Sequence, residues 1–336
     1  MDLLNAVVAL ANFVLIPATA YGAQLALGAL GVTLIYGILR FSNFAHGDTM
    51  AFGTMCTILV TWGLQTLGLS LGPLPVALLA IPFGIVGTAA MVLFTDRVVY
   101  RFYRAQKVKP VILVIVSIGV MFITNGVTRF IIGTEEQNFA DGARFLIGAR
   151  EFKAMTGLDE GLAIRTTQAV TVVTAVIVVA LLFWFLNRTR TGKSMRAYSD
   201  NEDLALLSGI SPERVVLVTW LIVAALATIA GTLYGLDKSF KPFTYFQLLL
   251  PIFAAAIVGG LGSPLGAIAG GFVIAFSEVG ITYAWKKVLG YLLPDTLAPD
   301  GLVQLMSTDY KFAVSFVILI IVLLFRPTGL FAGKSV

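Results

Sequence analysis

The side chains with reactive chemistry are few, and most stand alone. Among 336 residues there is one histidine, His46, and one cysteine, Cys56. His46 belongs to the run Asn43-Phe44-Ala45-His46-Gly47-Asp48, which gathers an amide, an imidazole and a carboxylate. That set could gate a polar path, or fix an irregular stretch of backbone beside one, with Asn43 and Asp48 satisfying the ring nitrogens. A lone histidine is more often a hydrogen-bonded structural group than a proton relay. Metal sites need clustered ligands, and none is expected. Cys56 lies in an apolar run and reads as a small packed residue rather than a reactive thiol. Two Gly-Lys-Ser tripeptides, at 192–194 and 333–335, invite comparison with phosphate loops. Such loops require a glycine five positions earlier, where this chain has Asn187 and Thr328. Nucleotide binding by this chain is therefore not expected. Paired carboxylates and nucleophile–base sets are missing as well, which argues against an enzyme.

The elements that must carry these residues are apolar. Hydrophobic residues make up 58% of the chain and charged residues 12%, about half the usual charged share of a soluble domain. Such a chain cannot cover its surface with polar groups and must face lipid. The net charge of +5 sits largely in short loops between apolar runs, as a topology signal and not a nucleic-acid surface. A bilayer core of about 30 Å takes roughly 20 apolar residues as a helix. Runs of that kind lie near 20–39, 49–66, 73–95, 110–132, 167–186, 215–236 and 310–325. A longer stretch, 250–283, is broken by Gly259, Gly260, Gly262, Ser263 and Pro264. The expected fold class is all-α: one polytopic membrane domain over 1–336, with about 8–10 spans. Residues 3–17 resemble a leader with Ala18-Thr19-Ala20 as a cleavage-like site, yet no Lys or Arg precedes Arg40. They are read as a retained lead into the first span.

Loop charge sets the expected orientation. Arg97, Arg101, Arg104, Lys107 and Lys109 place the loop 96–109 in the cytoplasm. Glu135, Glu136, Asp141, Glu151, Asp159 and Glu160 place 133–165 outside. The loop 187–214 returns inside with Arg188, Arg190, Lys193, Arg196 and Arg214, and Arg326 and Lys334 put the C-terminus inside. Parity then requires 250–283 to enter and come back, reversing at Gly-Gly-Leu-Gly-Ser-Pro. Ser263 suits the N-cap of the returning helix and Pro264 its first position. The entering arm, 250–261, spans only about 18 Å, so it is a short crossing or a re-entrant half-helix. Gly266 and Gly270, with Gly271 beside them, let another helix approach closely. Glu278 falls on the returning helix. At mid-membrane an acid costs about 2.5–3.5 kcal/mol, so it must face protein or water, or lie near the outer end. Gln24, Asn125 and Asn187 suit interhelical hydrogen bonds.

The loop 187–214 is the most informative polar stretch. Ser199 and Glu202 fit a capping box, Asp200, Glu202 and Asp203 suit a helix N-terminus, and Gly209 suits the position past its end. The expectation is a short helix over about 200–208 that presents Leu204, Leu206, Leu207 and Ile210. Two turns are not stable alone in water. The helix must rest on lipid, on its own protein or in a partner's groove, and its acid-rich first turn favours a protein partner.

Four runs resemble the signatures of the branched-chain amino-acid ABC permeases. They are Ala26 to Asp48, with its Asn-Phe-Ala-His-Gly; Arg196-Ala197 through Leu207-Ser208-Gly209-Ile210; Ala255 to Ala267, with Gly270-Gly271; and Phe325-Arg326-Pro327-Thr328-Gly329-Leu330-Phe331. They occur in the family's order and reach from about residue 20 to the end. Asp48, where Glu is common, Arg40 and the long apolar N-terminal lead depart from the pattern. The resemblance implies a permease subunit in a bacterial inner membrane, paired with a second similar permease. It implies two cytoplasmic ATPase subunits that hold ATP and magnesium, a periplasmic substrate-binding protein, and no cofactor on this chain. It points to Arg196, Ala197, Asp200, Asp203, Ala205, Leu207 and Gly209 as the coupling residues. It points to Asn43, His46, Gly47, Asp48, Gly259, Gly260 and Gly262 as residues of the translocation path. Branched-chain or other hydrophobic amino acids are the expected cargo, with urea, short amides or aromatic acids as the alternative. A stand-alone channel or ion-coupled carrier is the competing class, because carriers also use broken helices.

Overall fold

The computed structural model describes residues 2–139, 142–293, 301, 303–326 and 328–331. Asp141, Pro327 and the tripeptide at 333–335 with Lys334 lie outside the described residues. The described residues are helical almost throughout; among them one two-stranded antiparallel ribbon, Phe145–Ile147 against Ile164–Arg165, stands between spans. Eight of the described helices are long and apolar enough to cross a bilayer. A further helix, His46–Thr66, has 21 residues and reaches about 31 Å. Its Thr49, Thr54, Thr57 and Thr61 hydroxyls each donate to the carbonyl four residues earlier, which hides their polarity inside the helix.

The inner layer consists of helices 16–39, 46–66, 212–238 and 242–259, whose residues are mostly buried, with helix 264–282 packed on them and less fully covered. Helices 77–105, 110–132, 166–188 and 308–325 flank it and turn apolar side chains outward, among them Phe83, Phe122, Phe130, Trp184 and Leu324. Small residues bring the inner helices together. A Cβ on Gly22 would meet the Phe272 ring, one on Gly28 the Ile252 side chain, and one on Gly271 the Ala26 backbone.

Three boundaries differ from the sequence expectation. The span expected at 73–95 runs from Ala77 to Ala105 and takes in most of the loop expected at 96–109. The first span is not 20–39 alone: helix runs unbroken from Asp2 to Leu39, through a widened π turn at Ala11–Leu15. Residues 3–17 thus extend the span and do not turn back as another. Their Ala6 and Ala9 pack with Val288, and Asn5 donates to Asp159 (3.3 Å). The arm before the glycines begins at Pro242, not 250, and has 18 residues. It reaches about 27 Å, a full crossing rather than a half-helix. Its first turns carry Thr244, Tyr245 and Gln247, which made them resemble a loop. The reversal falls where expected. Ser263 Oγ accepts from the Gly266 amide (3.2 Å) with Pro264 in the first turn, and Gly260 and Gly262 take positive φ.

Candidate functional site

The four singled-out segments converge on the basic end of the bundle. Helix 16–39 stops at Arg40, which takes a left-handed backbone conformation (φ 59) and turns the chain into the irregular stretch 40–45. Asn43 Oδ1 accepts from the Ala45 amide (3.1 Å) and from the Tyr100 hydroxyl (3.3 Å). Phe44 N donates to Ser117 Oγ (3.1 Å). The Phe41, Tyr100 and Trp220 rings pack in series, and Trp220 Nε1 donates to Asp96, which also receives Arg104. The Asn43 side chain therefore fixes backbone and anchors the stretch to helix 77–105; its backbone carbonyl accepts from the His46 amide (3.3 Å), but its side chain does not reach the His46 ring.

His46 is fully buried against Gly31, where a Cβ would strike the ring. Neither ring nitrogen makes a hydrogen bond among the described residues. The expected pairing with Asn43 and Asp48 is absent because Asp48 turns to Asn125 on helix 110–132 instead (2.5 Å). Gly47 lets the Tyr245 carbonyl approach, where a Cβ would lie 2.7 Å away. Glu278 faces protein, as an acid in a span must: it accepts from the Ser315 hydroxyl, buried towards the opposite end from the reversal. Gln24 donates to the Leu233 carbonyl (3.4 Å), an interhelical bond of the expected kind.

The loop after helix 166–188 forms two helices where one was expected. Thr189 caps Arg190–Asp200, accepting from Gly192 N (3.0 Å), and Asn201 caps Glu202–Leu207, accepting from Leu204 N (3.0 Å). Ser199 is thus inside the first helix and is not the cap. Glu202 accepts from Tyr198 Oη (2.6 Å) instead of closing a capping box. Gly209 ends the second helix with φ 78. Ala205 is buried inward, while Arg196, Ala197, Asp200, Asp203, Leu207 and Gly209 are exposed. Leu204, Leu206 and Leu207 project from the short helix, Leu207 at 85% exposure. The tripeptide Gly192-Lys193-Ser194 sits within the helix Arg190–Asp200 and cannot form a phosphate loop.

Three contacts that sequence reasoning missed tie these parts together. The Arg40 guanidinium donates to the Ser199 carbonyl (2.7 Å), so the end of the first span holds the coupling loop directly. The last run docks on the reversal: Leu330 N donates to Val258 O (2.8 Å) and Phe331 N to Gly259 O (3.1 Å). There Gly329 lies so close to Gly260 that a Cβ would meet its Cα at 2.6 Å. Lastly, a cavity of about 720 Å³ is bounded by Thr33 and Gly37, by Arg196, Ala197 and Asp200, and by Gly262 and Ser263. Gly262 and three coupling residues share it; Gly259 is instead packed against Gly266, and His46, Gly47 and Asp48 lie in the interior away from it. The only sequence signal for the first contact was the unusual Arg40 itself.

The family model described as the branched-chain amino acid transport system permease component matches residues 15–323. The chain belongs to that family. This permease is 30% identical over 319 residues to the high-affinity branched-chain amino acid transport system permease protein LivH of Escherichia coli (strain K12), covering 94% of this chain and 93% of that one. The permease protein BraD of Pseudomonas aeruginosa is 30% identical over 317 residues, 94% of each. A probable LivH of Methanocaldococcus jannaschii is 27% identical, covering 92% of this permease and 89% of that chain. The chain is a multi-pass membrane permease subunit of an ABC importer, and its part in transport is not enzymatic.

Proposed function

We propose that this permease pairs with a second permease to enclose a path for branched-chain or other hydrophobic amino acids. Two ATPase subunits bind the basic end and hold ATP and magnesium, so this chain needs no cofactor of its own. The basic end, with Arg326, faces the cytoplasm of a bacterial inner membrane, and a periplasmic binding protein delivers cargo to the opposite end. The observation that carries the reading is the coupling element: a capped two-turn helix with Leu204, Leu206 and Leu207 bare, following a helix whose Ser199 carbonyl is hydrogen-bonded to Arg40 at the end of the first span. A helix that short needs a partner surface.

The coupling residues are Arg196, Ala197, Asp200, Asp203, Leu207 and Gly209 on the surface, with Ala205 seating the helix. ATP binding closes the ATPase pair and pulls this element. Arg40 passes the pull to helix 16–39, whose Ala26 backbone packs on Gly271 of helix 264–282, the helix that begins at the reversal. Asn43, His46, Gly47 and Asp48 hold the irregular backbone beside the path, and Gly259 and Gly260 keep the hairpin tight. ATP shifts the balance of outward and inward states by binding them unequally.

The test is co-purification in mild detergent, followed by uptake in proteoliposomes. Wild type should bring down two ATPase chains and a second permease. Asp200→Arg with Leu207→Asp should insert normally but lose ATP-driven uptake. Uptake by the isolated chain without ATP would instead establish a channel or carrier.

A further inference from the structure

A second cavity at the basic end, about 830 Å³, has no role in the reading above. It lies between the end of helix 16–39, helix 77–105 and the start of helix 212–238. Arg40, Arg97, Arg101, Arg104 and Lys107 line it, against Asp96, Glu202 and Glu213. Two of the basic groups are matched: Arg104 by Asp96 (2.5 Å) and Arg101 by Glu213 (2.7 Å). Arg40 donates to a neutral carbonyl, so its charge is not cancelled there. Arg97 and Lys107 are exposed and make no ion pair among the described residues. The cavity therefore holds surplus positive charge.

Its other wall is apolar, built from Leu93, Val108, Pro110, Leu113 and Leu217. That wall continues into the outward side of the bundle, where Phe94, Val98, Phe102 and Val111 are exposed. A soluble partner approaching the end of the bundle would meet the arginines but leave this lateral apolar wall uncovered. A molecule with an anionic head and hydrocarbon tails satisfies both.

We propose that this cavity binds the phosphodiester head of an anionic phospholipid, with its acyl chains along the apolar wall. Arginine suits phosphate because its fork of donors matches two oxygens at once. Tyr198 and Glu202 line the same cavity, so a bound lipid would brace the segment that carries the coupling helix. Only that consequence rests on the coupling reading; the binding does not.

The test uses the purified transport complex in nanodiscs of phosphatidylcholine with a minority of phosphatidylglycerol, read by native mass spectrometry after release. Wild type should retain phosphatidylglycerol in preference to phosphatidylcholine. Arg97→Gln with Lys107→Gln should lower that preference by about fivefold for each charge removed. An unchanged preference would overturn the proposal. So would loss of the ATPase chains with lipid retention unaltered, which would mark the cavity as a protein dock. Inorganic phosphate serves as the competing probe: complete displacement of phosphatidylglycerol by it would show a free-phosphate site, with the apolar wall irrelevant. Should the double variant fail to accumulate, equal retention of the two lipids by wild type would refute the proposal on its own.

Discussion

Glycine at position 271 sets the distance between the two most closely joined inner helices, and replacing it tests that packing. An alanine Cβ there would stand 2.7 Å from the Ala26 amide nitrogen and 2.8 Å from its Cα. Ordinary contact begins at 3.4 Å, so the backbones of helices 16–39 and 264–282 must part by about 0.7 Å. The obstacle is backbone, which cannot rotate away as a side chain would. Overpacking of this kind costs about 1–3 kcal/mol, which lowers a melting temperature by about 1–4 °C for a chain of this size. Gly126 provides the control. It lies mid-helix on the outward side of 110–132 with nothing within 4 Å of an added Cβ. Gly126→Ala should be neutral or stabilising, by up to about 1 kcal/mol from helix propensity. Tryptophan fluorescence during thermal unfolding in detergent reads both variants. Equal shifts, or a stable Gly271→Ala, would refute the claim that backbone proximity at Ala26 holds the inner layer together.

Three further outcomes follow from the contacts at the two ends. Arg40→Ala removes a charged hydrogen bond of about 1.5–3 kcal/mol to the Ser199 carbonyl; uptake in proteoliposomes should fall several-fold while ATP hydrolysis by the complex persists, and a parallel fall in both would count against a transmitting role. Asn201→Ala removes the cap of the coupling helix, worth about 1 kcal/mol, and should weaken ATPase association about fivefold in a titration of the subunits, whereas unchanged affinity would mean the helix does not contact them. At the opposite end, burial works against the charge of Glu160. Hydrogen bonds from Lys287 (2.8 Å) and Tyr291 (2.7 Å), with the Lys287 charge, outweigh it and hold the carboxyl below its usual range. A depressed folded value means stability is present above the ordinary carboxylate range and is lost as pH falls through the folded value. Glu160→Gln should flatten that acid limb in melting curves recorded against pH; an unaltered limb would assign it to other groups.

By itself the sequence determined the class of this protein. With 58% hydrophobic and 12% charged residues it had to sit in lipid, and its 20-residue apolar runs had to be helices because lipid offers backbone groups no other partner. Short-range signals were legible too: the Ser263 cap, the Gly-rich reversal and the Gly209 terminator depend on neighbours within a few residues. The tertiary structure decided what depends on distant partners. Asn201 rather than Ser199 became the cap because Ser199 is absorbed into the preceding helix, with its carbonyl held by Arg40, 159 positions away. His46 lost its expected partners because Asp48 found Asn125 and Asn43 found Tyr100. The turns from Pro242 looked like a loop until helix neighbours covered them. Such pairings are set by which helices become adjacent, and hydrophobic periodicity cannot specify adjacency when nearly every face is apolar.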